Sequence, residues 1–470
     1  MIALRPVHYV LIATLAAFGY SLTADFHLDD YSIAGNAIHW KQVFDPLETR
    51  PVTQLTFWLN VKLGRQHPVG YHAVNLALHL ANVWLLAGLA PPAGVALFAL
   101  HPIQAEAVNY VFARGTLLAT LFCLLAWRDW NRKKDWRAVA WFAFALLSKQ
   151  DCVTFPLFLA LVRRWNHTEG AFGKPVIAML GLSLLAGLRT LYATAVIAGS
   201  GAGPQAGIHP LHYFSAQGFA VLRYMRLLVA PWGFTVDPEI PVAGGWLAWL
   251  AVLLLLAAAA RLSHSGGRLF AWLLLIAPSS TLLPAQDLAA DRRMYLPMVA
   301  LAAALPWRRS ATLILTLALA ALSAGRTWVW ASEKRLWTEA VERAPNKLRP
   351  RLQLARASDP EAALQILKEA ERLAPADPQP ASERGARFLQ LNRPADALAE
   401  FGRALALRPN DPLALNNRGV ALLALGQNEA AAADFKKALE LDPCLDQARR
   451  NLAAMGLSSP TVCPSRAGRP

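Results

Sequence analysis

Long apolar stretches recur through residues 1–325, and they constrain the fold more than any other feature of the chain. Inside hydrocarbon no water satisfies a backbone N–H or C=O, so such stretches fold as helices that satisfy their own backbone. A helix crossing the hydrocarbon core needs about 20 residues, fewer where the bilayer is thin. Candidate spans are 7–23, 73–89, 93–110, 114–127, 137–148, 152–163, 175–197, 246–260, 268–283, 296–306 and 310–325. Residues 212–230 form a further apolar helix that ends near Pro231. The chain is 55% hydrophobic and 16% charged, against about 25% charged in ordinary soluble domains. The deficit is uneven, because 345–455 reads as a soluble helical region. The first segment follows Arg5 and resembles a signal peptide, but lacks a small-residue cleavage site. It reads as an uncleaved first span.

The formal charge is +15. Many of the basic residues sit in short connections between apolar segments, as in cytoplasmic loops of membrane proteins. No basic stripe alternates with aromatics, so a nucleic-acid partner is not expected. With the N-terminus in the cytoplasm and 212–230 lying in the interface, the inner loops hold Arg128, Arg132, Lys133, Lys134, Arg137, Arg163, Arg164, Lys174, Arg261, Arg268, Arg308 and Arg309. About eleven crossings then place the C-terminal tail outside the cytoplasm. The first outer loop, 24–72, holds Asp29, Asp30 and Arg50; the junction 149–151 holds Lys149, Gln150 and Asp151. The loop 284–295 holds Asp287, Asp291, Arg292, Arg293 and Tyr295. Ionised groups in a membrane are costly, so their gathering at one face marks a site.

The tail has a 34-residue period: Pro375, Pro409 and Pro443 follow it, as do Gly385 and Gly419, and Phe401 and Phe435. This is the tetratricopeptide-repeat period, two helices per unit. Units are expected at 345–377, with a shortened first helix, at 378–411 and at 412–445, followed by a capping helix at 446–455 and a loose end at 456–470. Such units present a concave surface to a peptide or protein partner, or act as a stabilising appendage. Cys123 is expected to pack as a small apolar residue. Cys444 and Cys463 are expected as unpaired thiols, with pairing the alternative in an oxidising compartment.

Adjacent Asp29 and Asp30 stand at the membrane boundary; partial burial of one would make it a general base, while the plain alternative is a solvated turn. His72, Asn75 and His79 fall at i, i+3 and i+7, on one helix face. After His101, residues Glu106, Asn109, Tyr110 and Arg114 are also spaced for one face. Glu106 and Arg114 lie two turns apart, so each needs a partner elsewhere. Two His and a Glu match no zinc spacing, and polar helix contacts explain them; no metal is expected.

The ordered motifs FHLDD (26–30), RP (50–51), GYHAVNLALH (70–79) and HPIQAEAV (101–108), followed by Arg114, resemble the transmembrane and tetratricopeptide-repeat-containing family. SKQD at 148–151 and ADRRMYLP at 290–297 continue the likeness. Gln150 and Asp291 stand where that family carries Glu, and the repeat array is short for it. Members are protein O-mannosyltransferases with the GT-C membrane fold. The resemblance implies an all-α polytopic bundle over 1–326, a connector at 327–344 and a short α-solenoid over 345–455. It implies transfer of a mannose-like sugar from a polyprenyl phosphate to an acceptor hydroxyl, with inversion and no cofactor. The acceptor would be Ser or Thr of a protein. Asp29, with Asp30 close behind, would be the base. Arg50, Arg114, Lys149 and Arg292 would hold the donor phosphate. His72, Asn75, His79, His101, Glu106, Asp151, Asp291 and Tyr295 would support the site. Arg293 is expected to snorkel instead. The helix 212–230 would help to form a groove for the lipid. A bacterial inner membrane, with site and repeats in the periplasm, is the expected setting. The rival readings are a non-catalytic membrane scaffold and a transporter of a lipid-linked glycan.

Overall fold

The structure is a computed structural model that describes residues 6–35, Val43, Asp45, 48–64, 66–165, 173–196, 203–262, 266–280, 283–304, 309–461 and Cys463. Arg5, Arg308 and residues 464–470 lie outside the described residues, and nothing is described of the Arg268 and Arg309 side chains. Every described element is helical, and the chain divides into two compact units, Met1–Leu336 and Trp337–Pro470. That division falls inside the expected connector, which is itself largely helical.

The first unit opens with α1 (Pro6–Phe18), α2 (Asp30–Gly35), α3 (Pro51–Gly64), α4 (Pro68–Leu86), α5 (Pro92–Leu100) and α6 (Ala105–Asn109). It continues with α7 (Arg114–Asn131), α8 (Asp135–Ser148), α9 (Phe155–Trp165), α10 (Lys174–Val196) and α11 (Pro210–Val229). Last come α12 (Trp246–Leu262), α13 (Gly266–Ile276), α14 (Pro297–Ala304) and α15 (Arg309–Trp330). Six of these helices begin on proline. Proline suits that position because the first turn has no use for its missing N–H.

One continuous core of buried apolar side chains joins these helices, with Phe18, Phe98, Leu117, Phe142, Phe155, Tyr224 and Met298 among its members. Gly94 lets α5 approach α14 closely, since a Cβ there would strike the Ala302 carbonyl. The outward faces are also apolar: Leu184 is 65% exposed, Leu254 61% and Ile314 73%. Contiguous apolar surface of this kind suits lipid rather than water. Among the described residues, three helical stretches are long and apolar enough to cross a membrane, Val111–Asn131, Lys174–Val196 and Leu313–Trp330. Val7–Thr23, Trp246–Arg261 and Phe270–Ser279 are shorter apolar helices. The expected span 93–110 is not one helix. It breaks at His101, which is extended ahead of Pro102 at φ −70° and ψ 129°. Proline disfavours the helical conformation in the residue before it.

In the second unit α16 (Glu333–Arg343) crosses the division, and three helical hairpins follow. They are α17 (Leu348–Arg356) with α18 (Pro360–Leu373), α19 (Gln379–Gln390) with α20 (Pro394–Leu407), and α21 (Pro412–Ala424) with α22 (Asn428–Leu441). A final helix, α23 (Asp446–Ala454), caps the stack. The first hairpin has the shortened first helix expected from the sequence. The period has a direct packing cause. Gly385 sits under the Phe401 ring and Gly419 under the Phe435 ring; an added Cβ would lie 2.7 Å and 2.6 Å from those rings. Cys444 and Cys463 form a disulfide, with Cα atoms 4.7 Å apart. The expectation of unpaired thiols is therefore corrected: the chain beyond α22 folds back far enough to bring the two together.

Candidate functional site

Asp29 and Asp30 are adjacent in sequence and opposite in environment. Leu28, just before them, has a positive φ of 50°. Asp30 is fully buried. Its Oδ2 accepts from the His27 and Val111 backbone N–H groups at 3.1 and 3.3 Å, and its Oδ1 from Phe112 N–H at 2.7 Å. It ties the first loop to the chain after α6. Burial pushes its carboxyl up to about 7 against the pull of the three N–H donors. Asp29 is exposed. Its Oδ2 accepts a hydrogen bond from the Tyr110 hydroxyl at 2.8 Å.

Tyr110 stands where the expected helix face fails. It is extended, at φ −86° and ψ 115°, between α6 and a short turn leading to α7. Glu106, Asn109, Tyr110 and Arg114 therefore do not share one face. The break sends Glu106 and Arg114 to different partners. Glu106 pairs with the Arg292 guanidinium and accepts from its backbone N–H at 3.2 Å. Arg114 is fully buried. Its Nε donates to Asn75 Oδ1 at 2.9 Å, and its terminal nitrogens donate to Asn60 Oδ1 at 2.5 Å and the Tyr71 carbonyl at 3.1 Å. The Phe57 ring lies 4.4 Å from its guanidinium carbon. Arg114 thus serves as an internal strut and does not line the cavity described next.

A cavity of about 250 Å³ opens beside these residues, lined by Arg50, Lys149, Asp151, Arg292, Arg293 and Tyr213 among others. Three of the four residues expected to hold phosphate meet there. Gly115 brings α7 against the end of α8, since a Cβ would be 3.1 Å from the Ser148 carbonyl. Lys149 follows directly. Its Nζ contacts Thr116 Oγ1 at 2.8 Å and Asp151 Oδ2 at 2.7 Å. Burial lowers its pKa, helped by nearby Arg50 and Arg292 and opposed by Asp151. Burial alone would raise Asp151, but Lys149 outweighs it and holds the carboxyl below its usual range. Arg292 also reaches Asp287 Oδ2 at 3.2 Å, and its guanidinium lies 5.7 Å from the Tyr110 ring. One tyrosine ring therefore separates the exposed Asp29 from the cationic cavity.

Arg293 departs from its expected role. It lines the cavity, held by neutral oxygens alone: the carbonyls of Asp287 at 2.5 Å, Leu288 at 3.1 Å and Ser279 at 3.4 Å, and the Tyr213 hydroxyl at 3.4 Å. No carboxylate hydrogen-bonds to it among the described residues. Asp291 instead pairs with Arg223 of α11 at 2.5 Å. Tyr224 of α11 exchanges two hydrogen bonds with the Ala290 backbone, at 2.9 and 3.0 Å. These bonds fix α11 to the turn carrying Arg292 and Arg293. Arg223 gave no sequence signal, being 68 residues from its partner.

The remaining polar residues brace the interior. His72, Asn75 and His79 do share a buried face of α4. His72 Nε2 lies 3.4 Å from the Asp25 carbonyl. His79 contacts the Tyr295 hydroxyl at 2.7 Å and the Ala99 carbonyl at 3.0 Å. His101 accepts from Ile103 N–H at 3.2 Å. None of them lines the cavity.

Comparison with known proteins matches residues 383–443 to the tetratricopeptide-repeat family. A protein O-mannosyl-transferase of Caenorhabditis elegans is 34% identical over 128 residues, covering 24% of this chain and 18% of the relative. A Drosophila melanogaster protein O-mannosyl-transferase is 33% identical over 128 residues, covering 24% and 15%. A human one is 39% identical over 97 residues, covering 18% and 11%. The chain thus spans less than a fifth of the length of these relatives. Among solved structures, a tetratricopeptide-repeat protein of Thermus thermophilus is 23% identical, covering 31% of this chain and 91% of that one, at a TM-score of 0.24. Over the matched stretches the chain is thus similar to protein O-mannosyl-transferases of animals, and its tail carries tetratricopeptide repeats.

Proposed function

We propose that this protein is a membrane glycosyltransferase that moves a mannose-like sugar from a polyprenyl phosphate to a Ser or Thr hydroxyl of a protein. The observation that carries this reading is the exposed Asp29 carboxylate, joined through Tyr110 to a cavity ringed by Arg50, Lys149, Arg292 and Arg293. The acceptor oxygen attacks the anomeric carbon while the bond from that carbon to the phosphate oxygen breaks. Asp29 takes the hydroxyl proton, and the phosphate leaves with the bonding electrons. Cations placed beforehand stabilise that developing charge without reorganising. The donor is already activated, so the reading calls for no cofactor, and the side-chain cations do the work a divalent metal would do. Tyr213, Leu283 and Pro284 give the cavity an apolar flank for the first prenyl units.

The site and tail are assigned to the extracytoplasmic side of a bacterial inner membrane. The Cys444–Cys463 disulfide supports this, since such bonds persist in oxidising compartments. The repeats are assigned the binding of a protein acceptor or partner.

The test is sugar transfer by the purified full chain in liposomes, with mannosyl polyprenyl phosphate and a Ser/Thr-rich peptide. Asp29→Asn should lower turnover about 10²–10⁴-fold with the unfolding temperature unchanged. Asp30→Asn should lower stability instead. Full turnover by Asp29→Asn would overturn the catalytic assignment and favour the scaffold reading.

A further inference from the structure

The helix α7 connects two cavities. Its N-terminal end reaches the cationic cavity through Ala113 and Gly115. Its C-terminal end reaches a second, of about 400 Å³, through Arg128, Asn131 and Arg132. At 1.5 Å per residue the two lie roughly 20–25 Å apart along the helix. That approaches the ~30 Å thickness of a bilayer core. The second cavity therefore opens at the opposite membrane face.

Its walls are of two kinds. The end of α4 and the turn after it supply an apolar side through Trp84, Leu85 and Leu89. Trp84 is 62% exposed, in the manner of aromatic residues that mark a membrane interface. The other side is cationic. Arg128, Arg132, Lys133, Lys134 and Arg137 fall within ten residues, opposed by Asp129 and Asp135. Asp135 is engaged by Arg163 at 2.6 Å. The buried Asp129 accepts from Trp141 at 3.1 Å and pairs with Arg137 at 3.2 Å. It approaches Arg128 Nε at only 3.5 Å, and that nitrogen is buried without a hydrogen-bond partner. Arg132 is exposed and has no acidic partner among the described residues.

We propose that this groove binds an anionic glycerophospholipid, its phosphate held by Arg128 and Arg132 and an acyl chain laid along Trp84 and Leu89. Guanidinium groups match phosphate through paired N–H donors, and basic pockets between membrane helices suit anionic headgroups on the face where such lipids concentrate. The apolar wall decides between a lipid and a free phosphate ion, which would leave that wall bare. The site does not depend on the glycosyltransferase reading.

The experiment counts lipids retained by the full chain, using native mass spectrometry after release from nanodiscs of phosphatidylglycerol in phosphatidylcholine. The native chain should retain one phosphatidylglycerol. Arg128→Gln with Arg132→Gln should lower retention at least tenfold. Lys133→Gln with Lys134→Gln removes the same charge beside the groove and should leave retention unchanged. Gly88→Trp fills the groove and keeps every charge; its Cβ meets only the Leu85 carbonyl, at an ordinary 3.5 Å. It should match the double-arginine variant, and it keeps the test decisive if that variant fails to fold. Equal retention of phosphatidylcholine would overturn the proposal. So would equal loss in the lysine pair, full retention in Gly88→Trp, or displacement by millimolar inorganic phosphate.

Discussion

The tail and the bundle are both all-helical, yet they hold themselves together by different means. In the tail the same contact returns every 34 residues: Gly385 under Phe401, Gly419 under Phe435. An ion pair returns with it, Arg384 to Glu400 at 3.1 Å and Arg418 to Asp434 at 2.7 Å. All these partners are 16 residues apart. In the bundle, polar contacts such as Arg114 with Asn75 and His79 with Tyr295 join residues 39 and 216 positions apart. Repeats stack on near neighbours, so local sequence dictates the contact. A membrane bundle lacks a hydrophobic drive between helices in lipid, so packing and interhelical polar contacts select its arrangement. Damage should therefore stay local in the tail and spread in the bundle.

The largest expected effect follows from Arg114. Arg114→Met removes a buried charge and leaves Asn60 and Asn75 without their donor. Each of these buried amide oxygens left unsatisfied costs about 1–3 kcal/mol. Thermal unfolding in detergent should show the whole bundle melting earlier, with the tail transition unmoved. A bundle of native stability would sink the strut assignment. Asp30 comes next. Its folded pKa of about 7 lies above the ordinary 3.8. Its contribution is thus fully present below pH about 4 and lost as pH rises through about 7. At ~1.4 kcal/mol per unit the span is on the order of 4 kcal/mol at most. The stability margin of the native chain over Asp30→Asn should shrink across that range; a margin independent of pH would contradict it.

Arg293→Gln tests the cavity. A charge-assisted bond of the proposed kind to a donor phosphate would be worth about 1.5–3 kcal/mol, so the donor KM should rise at least tenfold. The bundle's unfolding temperature should move little, because the lost partners are neutral oxygens. An unchanged KM would return Arg293 to a surface role. In the tail, Gly419→Ala drives a methyl against the Phe435 ring. Such overpacking costs about 1–3 kcal/mol. Circular dichroism should show early melting of the repeats alone, while sugar transfer to a short peptide persists. Loss of that transfer would mean that damage spreads from the tail as well.

What the sequence disclosed follows the same division. The repeat helices and the short first helix were legible because the period writes each contact twice. The gathering of Arg50, Lys149 and Arg292 was legible because charge is costly in lipid and collects where it is used. The roles of Arg114 and Asp291 were not, because Asn60 and Arg223 lie far off in the chain and carry no spacing signal. Tyr110 was placed on a helix face that its own extended backbone interrupts. The pairing of Cys444 and Cys463 depends on a turn after α22 that no periodicity announces.

The smallest effect gives the finest comparison. Arg418 and Asp434 form a two-pronged pair, both contacts at 2.7 Å, with the arginine side chain 32% and the carboxylate 10% exposed. Partly exposed pairs contribute about 0.2–1 kcal/mol after screening. The companion Arg384 is shared between Glu400 and Glu371, and Glu371 also receives Arg403. A double-mutant cycle on each pair, read from urea unfolding of the full chain, should give a coupling below about 1 kcal/mol at Arg418–Asp434. At Arg384–Glu400 it should be weaker still, because Glu371 keeps the arginine engaged when Glu400 is removed. Salt should shrink the first coupling more than the second. If instead the two couplings match and add across repeats, the ion pairs belong to the period as fully as the Gly–Phe contacts do, and the tail's stability scales with its repeat number through charge as well as packing.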